Sequence, residues 1–181
     1  MFTWLAKKSQ PNAKARELYG AVVAQARTPA FYRTLGVADT PEGRYELIAL
    51  HLVLTLDRLD ADIADEMLQR ETMEAFVADM DGAMRQMGIG DAGMSRNVKK
   101  AAGGVHARSF VYRAALAQAG DAALETALAE HVYHRRSGPS ASPLTLYVRA
   151  AVDHLAALPA SDLRAGKISF PHVPGEPVGH A

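Results

Sequence analysis

Apolar residues recur at every third or fourth position through much of the chain, which is the period of amphipathic α-helices. The pattern predicts a first helix over residues 13–27 and a second over residues 41–59. Thr40 can cap the second helix, and Pro41 suits its first turn. Because this second helix is apolar on almost every side, we expect it to be the central and most buried element of the fold.

The same period continues through the rest of the chain, between breaks that contain glycine and proline. A short acidic segment precedes a methionine-rich helix that Gly88 should end, and Ser95 should cap the next helix, which the pair Gly103–Gly104 weakens or breaks. The acidic segment spans residues 60–69, and the further helices predicted are residues 71–87, 95–118, 122–135 and 142–158.

The segments between and after these helices are predicted to be irregular. Residues 28–39 form an unusually apolar loop, whose Phe31 and Tyr32 should pack onto helices. Residues 137–141 form a linker, and only residues 167–173 show any strand-like alternation.

The predicted fold class is therefore all-α. We expect six or seven helices in one compact domain over residues 13–158. Residues 1–12 should be a flexible or membrane-contacting segment, and the Pro- and Gly-rich residues 159–181 an extended or disordered tail.

Composition narrows the classes of function. The absence of cysteine excludes a disulfide framework, a thiol nucleophile and a metal cluster held by thiolates. The 20 basic and 20 acidic side chains balance, so we expect no specific DNA binding. No apolar run reaches the roughly 20 residues of a spanning helix, and the start lacks the charge order of a secretory signal. We expect a cytoplasmic protein, with a start that allows peripheral contact with the cytoplasmic face of the inner membrane.

The zero net charge conceals two opposed stretches. Residues 57–91 contain ten acidic and three basic side chains, whereas residues 92–120 contain five basic and no acidic ones. Arg96, Lys99 and Lys100 form a compact basic face that suits phosphate, an acidic partner or anionic lipid. The alternative is that the basic stretch packs against the acidic helix of the same domain.

Motifs for enzymatic chemistry are weak. Residues 88–93 match G-x-G-x-x-G, but a helix rather than a strand precedes them, which favours a simple turn over a dinucleotide site. A third hypothesis is a metal-dependent enzyme that uses Glu130, His131 and His134. A pair of surface histidines is the favoured interpretation, so no metal ligand and no catalytic residue is assigned.

Two other features have local interpretations. His51 lies in the apolar helix, where a hydrogen-bonded core histidine is favoured and a haem contact is the alternative. Asp81 and Arg85 should form an ion pair at i, i+4.

Four ordered stretches resemble a known family. They are Ala15-Arg16-Glu17-Leu18-Tyr19 through Gln25-Ala26-Arg27-Thr28-Pro29-Ala30-Phe31-Tyr32; residues 35–47; Leu50-His51 with Arg58-Leu59; and Asp79-Met80-Asp81 through Val98-Lys99. In this order and spacing, over about residues 13–155, the chain resembles the ubiquinol–cytochrome c chaperone family.

The resemblance implies a helical, non-enzymatic assembly factor with no cofactor. Mitochondrial members help to assemble the cytochrome bc1 complex by receiving newly made cytochrome b, with a small partner protein and at the ribosomal exit. This chain is similar to the shorter bacterial members, so the implied partners are cytochrome b or a bc1 assembly intermediate, a small partner protein and the ribosome. It departs from the family at Ala101–Val105, where bulky aromatic residues are expected.

A chaperone for an apolar client needs adaptable apolar side chains, which methionine supplies. Helical spacing alone favours core packing for most of the methionines, but some could line a client groove. The alternative function is a haem- or lipid-binding helical module at the cytoplasmic membrane face. The partner-binding residues predicted are Phe31, Tyr32, Met80, Asp81, Met84, Arg85, Arg96, Lys99 and Lys100.

Overall fold

The computed structural model describes residues 11–63, 65–86, 91–134 and 141–176. This part of the chain is all-α and has no strand, which confirms the predicted fold class. The helices are α1 (Ala13–Ala26), α2 (Pro29–Arg33), α3 (Pro41–Ile63), α4 (Glu66–Gln86), α5 (Asp91–Leu116), α6 (Ala122–His131), α7 (Ser142–Ala157) and α8 (Ala160–Arg164).

Helix α3 is the centre of the fold, as its sequence predicts. Residues 47–55 are all buried, and the helix packs against α1, α4, α5, α7 and α8. The Thr40 hydroxyl accepts the Gly43 N–H at 3.1 Å, which confirms Thr40 as the cap of this helix.

The acidic segment predicted at residues 60–69 is not a separate element. Helix α3 continues to Ile63, and α4 begins at Glu66. Leu59 of α3 and Leu68 of α4 are both buried in a second, smaller core cluster. Their packing stabilises the helical conformation on both sides of the acidic residues between them.

Helix α5 begins at Asp91 rather than at Ser95, and it runs unbroken through the glycine pair. Tyr45 of α3 donates its hydroxyl to the carbonyl of Ala101 at 2.9 Å, and a Cβ at Gly104 would collide with that hydroxyl. The small residues of α5 therefore permit a close approach of α3 instead of breaking the helix.

The segment 28–39 packs onto the domain as predicted, but it is not entirely a loop. Residues 29–33 form α2, because Pro29 ends the first helix and then occupies the first turn of the next. Phe31 is fully buried, with its ring 5.3 Å from that of His51 and 5.0 Å from that of Tyr147.

The C-terminal tail is also more ordered than predicted. Residues 160–164 form α8, whose Leu163 is buried against the smaller cluster. The following residues are irregular rather than a strand, and their Phe170 and Val173 pack against the main core. Residues 160–164 are therefore helical rather than extended, and the irregular residues after them pack down because their apolar side chains have a core to join.

Several predictions lie outside the described residues. They concern residues 1–10, the helix end at Gly88 and the first half of the G-x-G-x-x-G match, most of the linker 137–141, and residues 177–181.

Candidate functional site

Most of the predicted partner-binding residues come together at one end of two neighbouring helices. Helices α4 and α5 pack together and are joined by only four residues, 87–90, so they run antiparallel. The last turns of α4 therefore lie beside the first turns of α5. The predicted residues on these turns, together called the hairpin surface below, are Met80, Asp81, Met84, Arg85, Arg96, Lys99 and Lys100.

The methionines of the hairpin surface have two roles at once. Met80 and Met84 are partly buried and pack against the main core, as helical spacing favours. Their remaining exposed surface is available to a partner, so core packing and an apolar contact surface are compatible.

The cations of the hairpin surface point outward. Arg96, Lys99 and Lys100 are exposed, whereas Val98 and Ala101 on the same helix are each only 9% exposed. Asp81 and Arg85 form the predicted ion pair, with Arg85 Nε 3.0 Å from Asp81 Oδ2.

The later cations of the basic stretch pair with carboxylates of α3 instead, Arg108 in a mostly buried position and Arg113 with its side chain half exposed. Arg108 forms a bidentate pair with Glu46, which is 3% exposed, and Arg113 Nε lies 2.7 Å from Asp57 of α3. Burial raises the pKa of Asp57, and the nearby Arg113 guanidinium opposes that rise. Ion pairs within the domain therefore account for Arg108 and Arg113, whereas Arg96, Lys99 and Lys100 form no ion pair with any described residue.

His51 is a core residue with both ring nitrogens in hydrogen bonds. Nδ1 donates to the Leu47 carbonyl at 2.7 Å, because a carbonyl can only accept, and Nε2 then accepts the Tyr147 hydroxyl at 2.7 Å. Gln25 Nε2 donates to the same hydroxyl at 3.0 Å and to the Pro171 carbonyl at 3.3 Å. Burial lowers the pKa of His51 to about 4. This arrangement supports the structural interpretation of His51, since neither nitrogen is available to haem iron.

Phe31 and Tyr32, the two aromatic residues predicted to contact a partner, lie in different environments in the structure. Phe31 belongs to the core and presents no surface to a partner, because the start of α2 turns it inward. Tyr32 is partly exposed, and its hydroxyl donates to the Ala26 carbonyl at 2.7 Å.

The described residues contain no group of three side chains that could hold a metal ion. His131 ends α6, with its ring 6.0 Å from that of Tyr112, while His134 has left the helix and has a φ of 50°.

Two surface features of the structure are not evident from the sequence. Phe110, Leu146 and Met67 are 64%, 62% and 61% exposed, and nothing in their helical spacing distinguishes them from buried neighbours. The second is a cleft lined by three arginines around α2, whose signal in the sequence is cations that flank an apolar loop.

The fold and these surfaces define an all-α domain with one end that combines cationic and apolar side chains. A family model described as ubiquinol-cytochrome C chaperone matches residues 33–170. The crystal structure of the Cbp3 homolog from Brucella abortus is similar, with a TM-score of 0.81 and 34% sequence identity, covering 96% of this chain and 97% of that one. A search of curated proteins finds no match. The chain belongs to the ubiquinol–cytochrome c chaperone family, as its sequence resemblance indicated.

Among the helices of the described residues, none has the length and apolar character needed to cross a membrane.

Proposed function

We propose that this protein is a non-enzymatic chaperone of cytochrome bc1 assembly that binds newly made cytochrome b at the cytoplasmic face of the inner membrane. Membership of the family is the observation that carries the proposal. The hairpin surface is its candidate contact region, with Met80 and Met84 for apolar segments and the cations for acidic groups.

The geometry favours this surface for a physical reason. The side chains of Arg96, Lys99 and Lys100 are exposed, and they take part in no ion pair among the described residues. Packing explains the buried residues between them, but it leaves these three cations without a structural role. A cluster of solvated cations beside partly exposed methionines can attract a charged partner and then make adaptable apolar contacts.

Capture of cytochrome b from membrane extracts tests the proposal. The charge-reversed variant Lys99→Glu/Lys100→Glu should recover much less cytochrome b than the unmodified protein does. The matched control is Arg164→Glu/Lys167→Glu, which makes the same change in charge at exposed residues after α7. Equal loss in both variants would show that total charge, not the hairpin surface, governs the interaction.

Deletion of the gene in the source organism tests the biological role separately. The bc1 complex should be depleted, and the intact gene should restore it. Normal levels of the complex in the deletion strain would overturn the proposed function.

A further inference from the structure

A second concentration of positive charge lies in a cleft formed by residues outside α4 and α5. The cleft has a volume of about 470 Å³ and opens where the end of α1, helix α2 and the start of α3 meet. We call it the arginine cleft. Its lining residues are Arg27, Pro29, Tyr32, Arg33, Asp39 and Arg44.

The cleft has a surplus of two positive charges. Of its three arginines only Arg44 has a carboxylate partner, with Nε 2.7 Å from Asp39 Oδ1. This hydrogen bond lowers the pKa of Asp39, so its carboxylate is ionised at neutral pH. Arg27 and Arg33 form no ion pair with any described residue. Three positive charges and one negative charge therefore leave a net charge of +2.

The three arginines and Tyr32 line the same cleft. The hydroxyl of Tyr32 is committed to the Ala26 carbonyl, which holds the ring in the wall of the cleft. The positive charges of Arg44 and Arg27 both act to lower the pKa of that hydroxyl, against a larger rise caused by burial. Arg27, the C-cap of α1, and Arg44 of α3 are therefore both close enough to Tyr32 of α2 to act on its hydroxyl.

Helix stability does not explain the whole set. Arg27 and Arg33 lie at helix C-terminal ends, where a cation is favourable. Arg44, however, lies in the first turn of the 23-residue helix α3, where the helix dipole disfavours a cation. The Asp39 carboxylate offsets that effect at Arg44, so the surplus positive charge of the cleft is carried by Arg27 and Arg33, which have no carboxylate partner among the described residues.

We propose that the arginine cleft binds a phosphate group carried by an organic molecule. A guanidinium group can donate two parallel hydrogen bonds to the oxygens of a phosphate. The guanidinium groups of Arg27 and Arg33 are free to do so, because neither has a carboxylate partner among the described residues. Pro29 and the Tyr32 ring add an apolar wall for the organic part. A phospholipid headgroup and a soluble phosphate compound share this chemistry, and the test distinguishes them.

The full chain is titrated with sodium pyrophosphate by calorimetry, and its sedimentation with phosphatidylcholine vesicles is measured with and without phosphatidylglycerol. The unmodified protein should bind pyrophosphate, and Arg27→Ala/Arg33→Ala should bind it at least about tenfold more weakly. The control Arg164→Ala/Lys167→Ala loses the same charge elsewhere and should bind as the unmodified protein does. Circular dichroism spectra confirm that the variants fold.

Two arms identify the source of the phosphate. Binding to phosphatidylglycerol vesicles that also depends on Arg27 and Arg33 assigns a lipid headgroup, whereas pyrophosphate binding alone assigns a soluble compound. A flat pyrophosphate titration overturns the proposal, as does equal weakening in the control. A hexaglutamate peptide that binds where pyrophosphate fails overturns it in favour of an acidic protein partner. None of these readouts involves cytochrome b, so the proposed function can stand or fall independently.

Discussion

The hydroxyl of Tyr147 should contribute measurably to stability, because it completes the polar chain through the core. The hydroxyl donates to His51 Nε2 at 2.7 Å and accepts from Gln25 Nε2 at 3.0 Å. Tyr147 is only 2% exposed, so these hydrogen bonds are buried. Tyr147→Phe removes the hydroxyl and keeps the ring. His51 Nε2 then becomes a buried acceptor without a donor, which costs about 2 kcal/mol.

For a domain of this size, that loss corresponds to a fall in melting temperature of about 4–8 °C. Thermal unfolding followed by circular dichroism measures it. Tyr112→Phe is the matched control, since Tyr112 is 0% exposed and its hydroxyl has no hydrogen-bond partner among the described residues. Removing that hydroxyl should leave the melting temperature unchanged or raise it. Equal effects of the two substitutions would refute the reasoning, because they would show that the hydrogen bonds of Tyr147 contribute nothing beyond the presence of a buried hydroxyl.

Three further predictions concern His51, the Arg108–Glu46 pair and the glycine pair of α5. Burial holds the pKa of His51 near 4, whereas the pKa of an unfolded histidine is about 6.5. The neutral ring of His51 therefore contributes fully to the free energy of unfolding above pH 6.5, and this contribution is lost as the pH falls towards 4. Between pH 6.5 and pH 4, the free energy of unfolding in urea should fall by about 3 kcal/mol more for the unmodified protein than for His51→Gln. Parallel pH profiles of the two proteins would contradict this prediction. Arg108→Met leaves the Glu46 carboxylate buried and unpaired, which should cost about 3–5 kcal/mol in urea unfolding; a loss below about 1 kcal/mol would contradict the importance of this pair. Gly103→Ala should stabilise α5 by about 0.5–1 kcal/mol, because a Cβ at this position meets no other atom. Gly104→Ala should be about 1–2 kcal/mol less stable than Gly103→Ala in thermal unfolding, because its Cβ would collide with the Tyr45 hydroxyl. Equal stabilities of the two variants would contradict the close approach of α3 and α5.

The sequence predicted the helical architecture because the apolar period is long and unambiguous. Residues 47–55 have no exposed face, so only a central position could bury them. Helix bounds in the acidic region were predicted less well, since buried Leu59 and Leu68 extend the helices through a local composition that favours solvent. The ordered C-terminal segment was missed for a similar reason: Phe170 and Val173 pack against residues far away in the sequence.

The candidate site was predicted in part. Arg96, Lys99 and Lys100 lie within two turns of one helix, so their common face follows from helical geometry alone. Phe31 and Tyr32 are neighbours in the sequence, but the turn of α2 sends one ring inward and leaves the other at the surface. The arginine cleft could not be predicted from spacing, because it needs α1, α2 and α3 to meet.

The arginine cleft and the hairpin surface lie towards the same end of the bundle. Tyr45 follows Arg44 of the cleft, and its hydroxyl bonds to the carbonyl of Ala101, which follows Lys100. Two neighbouring cationic surfaces raise the question of whether one partner uses both. The cleft suits a phosphate group, while the hairpin surface adds methionines, so we expect two separate ligands. In a detergent extract, Arg27→Ala/Arg33→Ala should therefore recover cytochrome b as well as the unmodified protein does, while Lys99→Glu/Lys100→Glu loses it. Equal loss in both variants would mean that the cleft is part of the client surface, because no lipid bilayer is present in that assay to supply another role.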